Sequence, residues 1–107
     1  MVAEKFLCVS TTLNSRDAAQ AIASKCVELG LAGCVQIIGP VESVYRWHGK
    51  LEKAEEWLCL AKTDRSHFDD LKATLLENHP YDEPEIIATE IVDGSESYLD
   101  WLNGQLR

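Results

Sequence analysis

A chain of 107 residues, 46% of them hydrophobic, can build one core but not a second domain able to fold alone, so 1–107 reads as a single domain. Its formal net charge of −8 repels phosphate backbones and anionic lipid, and no local Lys/Arg cluster offsets it, so neither nucleic acid nor a membrane is an expected partner. The four cysteines, Cys8, Cys26, Cys34 and Cys59, include no Cys-x-x-Cys pair and sit in apolar segments, which argues for reduced, buried thiols and against a zinc or disulfide framework.

The apolar run at the start of the chain, residues 6–9, is too brief for a signal-peptide core or a membrane span, and a cytoplasmic location is expected. Residues 5–12, short, apolar and β-branched toward the end, predict a strand buried on both faces. Asn14 or Ser15 can then cap a helix in which Ala18, Ile22, Cys26 and Leu29 recur at helical spacing, with Gly30 as its stop.

Residues 34–63 read as two long strands folded back on each other about His48-Gly49-Lys50. A three-residue loop there sets Trp47 against Leu51, Arg46 against Glu52 and Val41 against Trp57, whereas a two-residue Gly49-Lys50 loop sets Arg46 against Lys53. The first register is preferred for its opposite charges and apolar pairs. Gly39-Pro40 interrupts the first strand, and because Pro has no N–H for a ladder, a bulge or bend is expected between a core half and a projecting half.

Ser66-His67-Phe68-Asp69 resembles a capping box that opens a second helix, with Phe68, Leu71 and Leu75 on one face and Pro80 as its limit. Residues 86–92 read as another buried strand, and Gly94-Ser95 starts a short helix carrying Tyr98, Leu99, Trp101 and Leu102. Strand, helix, strand, strand, helix, strand is the split βαβ plan of the ferredoxin-like α+β folds. It has right-handed crossovers with both helices on one sheet face, to which a long central hairpin and an extra C-terminal helix are added.

Several residues carry chemistry that could serve a site. His79, with the carboxylates of Asp82, Glu83 and Glu85 on a proline-stiffened loop, could hold copper or zinc through His79 and Glu85 if an open position or a second subunit completed the coordination. The same segment also reads as a solvated acidic loop in which His79 ends a helix. Cys34 would need a nearby base or cation to act as a nucleophile, and otherwise reads as a small buried hydrophobe. Lys50 and Lys62 could position charge for an anion, or be a turn residue and a strand-end lysine reaching water. Trp47, Trp57, Tyr81 and Trp101 read as packing residues. With no Ser-His-Asp set, phosphate-cradling Gly loop or paired acid and base, a binding protein is expected rather than an enzyme, and no organic cofactor.

Five stretches together carry a family resemblance: Leu31-Ala32-Gly33-Cys34; Tyr45-Arg46-Trp47-His48-Gly49-Lys50-Leu51-Glu52; Lys62-Thr63; His79-Pro80-Tyr81-Asp82-Glu83-Pro84-Glu85; and Tyr98-Leu99-Asp100-Trp101-Leu102. In order and spacing the chain resembles the CutA family of divalent-cation tolerance proteins over nearly its whole length. The resemblance implies a ferredoxin-like subunit in a tight homotrimer, similar in build to PII signalling proteins, with a role in copper tolerance and metal binding. It also implies a ligand cleft between subunits near Cys34, Trp47, Lys50, Lys62, Tyr81, Glu85 and Trp101. The alternative is a PII-like signalling module that binds a small anionic metabolite there and relays its occupancy to a partner protein. The projecting hairpin agrees with assembly, since a lone subunit would expose its aromatics and two strand edges.

Overall fold

The computed structural model describes residues 6–107, so Lys5, the expected first residue of the first strand, lies outside the described residues. The order is β1 (Phe6–Leu13), α1 (Arg16–Glu28), β2 (Cys34–Trp47), β3 (Lys50–Asp64), α2 (Arg65–Asn78), β4 (Ile87–Glu90) and α3 (Glu96–Gln105). The strands form one antiparallel sheet in the order β2-β3-β1-β4, the ferredoxin-like α+β arrangement expected from the element order. No helix among the described residues is long and apolar enough to cross a membrane.

Alternation along β1 decides what each sheet face does. Leu7, Val9 and Leu13 point into a core shared with Cys59 and Ala61 of β3, Ile22 and Cys26 of α1, and Leu71 and Leu75 of α2. Cys8, Ser10 and Thr12 face the other way and are only half-buried, so β1 is not the two-sided buried strand its composition suggests. That second face is covered at one end alone, where Leu99 and Leu102 of α3 close over Phe6. The rest stays open, including half-buried Leu58 and Leu60 and exposed Ile38.

Both helix starts are set by side chains that accept an otherwise orphaned N–H. Ser15 caps α1 by accepting from the Ala18 amide at 3.0 Å, and Gly30 ends that helix at φ 72°, a left-handed conformation that suits glycine. The cap of α2 lies two residues earlier than the predicted Ser66. It is Asp64, whose carboxylate accepts from the His67 amide at 3.0 Å, from Ser66 Oγ at 2.9 Å and from His67 Nδ1 at 2.6 Å. The His67 ring also reaches the Arg107 carbonyl through Nε2 at 2.5 Å, tying the segment after α3 to the start of α2. The last expected strand is shorter than predicted. Residues 87–90 alone form β4, and all four are exposed at the edge of the sheet, where β4 pairs with β1 only.

The hairpin corrects the expected register by one residue. Its loop is His48-Gly49, both at positive φ (50° and 78°), a two-residue turn of type I′ character, and Trp47 therefore faces Lys50 while Tyr45 faces Glu52. Turn geometry overrides charge pairing, leaving Glu42 opposite Glu55. The expected bulge is present: Ile38 pairs with Leu58 and Val41 with Glu56, so Gly39 and Pro40 together oppose Trp57. Glycine is required at 39 because a Cβ there would run into the Trp57 indole.

Candidate functional site

Where the hairpin leaves the sheet, its root, the end of β1 and the 79–85 loop enclose a cavity of about 730 Å³. Tyr45, Trp47, Ala54 and Glu56 come from the hairpin, Thr12 and Asn14 from the end of β1, and Tyr81, Asp82, Glu83 and Glu85 from the loop. The strand period explains the hairpin's share, since Tyr45 and Trp47 of β2 and Ala54 and Glu56 of β3 alternate onto one face of the ribbon. Pro80 and Pro84 bracket the loop and stiffen it.

A polar chain runs behind this cavity. Tyr81 Oη donates to Glu56 Oε2 at 2.7 Å, and the Tyr81 amide donates to His79 Nδ1 at 3.2 Å. With Nδ1 accepting, the imidazole proton belongs on Nε2, which lies 3.0 Å from Thr11 Oγ1. Burial pushes the His79 pKa down and favours this neutral form. Burial also raises the Tyr81 pKa, and the Glu56 hydrogen bond and charge raise it further, so the phenol keeps its proton.

The expected metal pair, His79 with Glu85, does not form within a subunit. His79 reaches Thr11 while Glu85 accepts from Ser10 Oγ at 3.4 Å, and these adjacent β1 residues point to opposite faces of the sheet. Both imidazole nitrogens are already engaged, and no group of three or more His, Cys, Asp or Glu able to hold a metal occurs among the described residues. Among the described residues, the side chains of one subunit therefore do not converge on a site for a resident divalent ion.

The other residues implied by the family fall into two places. Trp47, Tyr81 and Glu85 share the cavity, with Lys50 directly across the hairpin from Trp47. Cys34 and Lys62 face each other at the far end of the open sheet face, where Lys62 Nζ donates to Gln36 Oε1 at 2.5 Å. On α3 the rings of Tyr98 and Trp101 lie 5.7 Å apart. Burial raises the Tyr98 pKa, and α3 lies beside this row, since a Cβ on Gly33, the neighbour of Cys34, would run into Leu102. All four cysteines are free, and burial lifts the Cys26 and Cys59 thiols to about 11, so both stay protonated and inert at neutral pH. Sequence reasoning missed Glu56, hidden in the charged run 52–56. The expected register would put Glu55 rather than Glu56 on the Tyr45 and Trp47 side of the ribbon, so only the corrected turn brings Glu56 there.

The two half-buried histidines should tilt stability in opposite directions with pH. His79 has a folded pKa below the ordinary 6.5, so stability present above 6.5 is lost as pH falls through the lower folded value. For His67, the Asp64 hydrogen bond raises the pKa above 6.5 against the opposing effect of burial, so its contribution is complete below 6.5 and is lost as pH rises through the folded value. His79→Gln is expected to flatten the acid limb of the Tm–pH curve, and His67→Gln the limb above pH 6.5, by differential scanning fluorimetry. An acid limb unchanged in His79→Gln would contradict the buried neutral imidazole.

Comparison with known proteins agrees with this architecture. The divalent-cation tolerance protein CutA of Thermus thermophilus is 43% identical over 88% of this chain and 91% of its own length. The chloroplastic protein CutA of Arabidopsis thaliana is 40% identical over 92% of this chain, which spans only 54% of that longer relative. The crystal structure of CutA1 from Oryza sativa superposes with a TM-score of 0.95 at 36% identity, covering 100% of this chain and 98% of that one. The CutA1 divalent ion tolerance family model matches residues 7–105, nearly the whole chain, and the chain belongs to that family.

Proposed function

We propose that the chain acts in divalent metal tolerance, toward copper in particular, as a cytoplasmic homotrimer that binds a ligand in the clefts between its subunits. Family membership supports the metal-tolerance role in general. The observation that carries the ligand-binding part is the cavity at the hairpin root, concave and walled by aromatic rings around a few placed polar groups. Assembly is supported by the open sheet face and by Val44, Tyr45, Trp47 and Leu51, all exposed on the hairpin of a lone subunit. Binding rather than catalysis fits the polar chain, in which His79 is held neutral between Thr11 and the Tyr81 amide. An anionic metabolite, the PII-like alternative, would meet the Glu56, Asp82, Glu83 and Glu85 carboxylates in this cavity and is disfavoured there.

Growth of cells on graded copper tests the role, with the native chain deleted and then restored as wild type or as Tyr81→Phe. Deletion is expected to lower the tolerated copper concentration, wild type to restore it and Tyr81→Phe to restore it only partly. Unchanged growth on deletion would remove copper from the reading. Titration of the purified protein gives the second check: His79→Gln with Glu85→Gln is expected to leave the copper and zinc isotherms at wild-type values, because the two side chains do not converge. Loss of saturable binding in that variant would show that assembly brings them together after all.

A further inference from the structure

We propose that the cavity at the hairpin root is a site for an alkyl polyamine, with Glu56 as counter-ion to one ammonium group and the rings of Tyr45, Trp47 and Tyr81 around it. The inference rests on the reading of this cavity as the ligand cleft and names the chemistry it takes. Glu56 is the starting point, a carboxylate only 7% exposed that lines the cavity. Burying a carboxylate costs several kcal/mol unless a cation or enough donors compensate. Here the described compensation is a single hydroxyl, Tyr81 Oη at 2.7 Å.

No cation of the subunit fills the gap among the described residues. Their two ion pairs, Arg65 with Glu90 and His67 with Asp64, both lie at the N-terminal end of α2. His79 is neutral. Lys53 alternates to the other side of the ribbon from Glu56, and Lys50, on the same side, is about 20 Å away along the strand at the usual rise per residue. The cavity therefore holds a buried negative charge facing space large enough for a ligand.

Its walls select the kind of cation. Aromatic faces attract ammonium groups through the ring quadrupole and tolerate attached methylenes, which suits an alkylammonium better than a bare metal ion that demands several converging oxygen or nitrogen donors. Asp82, Glu83 and Glu85 continue the negative potential outward along the exposed 81–85 loop. One buried carboxylate with further carboxylates toward the mouth matches a chain of spaced positive charges, and a singly charged ammonium would leave the outer ones unused.

Calorimetric titration of the wild-type protein with spermidine in about 0.15 M salt tests this, with choline and magnesium as comparison probes. Spermidine is expected to bind saturably and more tightly than choline. Glu56→Gln, which keeps an acceptor for Tyr81, is expected to weaken it about tenfold or more, while Asp93→Asn with Glu96→Gln, which removes two remote charges, leaves it unchanged. Tyr45→Ala gives an independent loss if Glu56→Gln misfolds by circular dichroism. Binding abolished by the salt, or weakened as much by the remote variant, would show only the general attraction of an acidic surface and overturn the inference. If Glu56→Gln leaves spermidine binding intact but weakens assembly, the missing cation is a basic side chain of a second copy, and the inference again fails. Sedimentation of the same samples separates this from failure of the intersubunit reading of the cavity, which a wild-type monomer would signal.

Discussion

Glutamate in place of Ile38 is expected to turn the proposed trimer into folded monomers. Ile38 is 47% exposed on the open sheet face beside its cross-strand neighbour Leu58, so within one subunit a carboxylate there would still reach water. Against a second copy the same carboxylate loses its solvent, and an unpaired buried charge costs several kcal/mol in each of the symmetric contacts of a closed ring. The separation of these effects makes the variant informative. Sedimentation equilibrium at micromolar concentration should show a threefold fall in mass from wild type, with an unchanged far-UV circular dichroism spectrum. An Ile38→Glu protein that keeps the wild-type mass would show that copies do not meet on this face. A wild-type protein that sediments as a stable monomer would remove the assembly altogether.

Phe6→Ala should give the largest loss of intrinsic stability. Phe6 is 0% exposed and forms, with Leu99 and Leu102, the small core that holds α3 against the sheet. Removing a buried phenyl ring costs about 3–5 kcal/mol, and the polar ties of Arg107 to His67, Gly30 and Glu28 would be left to hold the segment after α3. Gly33 is part of the same fit, since a Cβ there would come within 2.5 Å of Leu102 Cδ1. Urea denaturation at one fixed protomer concentration measures the change, because the proposed assembly would make the midpoint concentration-dependent. Limited proteolysis should then cut within residues 96–105 in the variant before it cuts the wild type. A loss under about 1 kcal/mol would mean that α3 is held elsewhere.

Patterns that depend on a few neighbouring residues could be read directly from the chain. The bulge at Gly39-Pro40 was legible because proline has no ladder N–H, the α1 cap to within Asn14 or Ser15 because both precede an apolar period, and α3 because Leu99 and Leu102 share one face. Patterns decided by geometry at a distance were not. The hairpin register depended on His48 accepting a φ of 50°, which its residue type does not announce. Asp64 lost the expected cap assignment to Ser66 because both can accept an amide, and only the strand's end decides which one is in place. The length and exposure of β4 followed from its place at the sheet edge, which composition does not encode. In the site, Trp47, Tyr81 and Glu85 could be named from motifs, but their convergence with Glu56 requires the hairpin to fold toward the 79–85 loop. The His79 and Glu85 pair looked plausible because they are close in sequence, and it fails because β1 lies between the groups they contact.

The bulge has a further consequence for how the molecule opens. Proximal to it, the backbone hydrogen bonds of β2 and β3 lie in a sheet backed by two helices; beyond it, the same strands form a two-stranded ribbon. Two-stranded ribbons are marginal alone in water, so the two halves of one continuous hairpin belong to different cooperative units. Amide protons near the core should exchange only through global unfolding, while in the proposed assembly those beyond Gly39 and Pro40 would follow the association equilibrium and exchange faster on dilution. Glu56 sits at the boundary between these units. A ligand held there would restrain the ribbon's local opening, and its occupancy would be readable as protection of amides that it never touches.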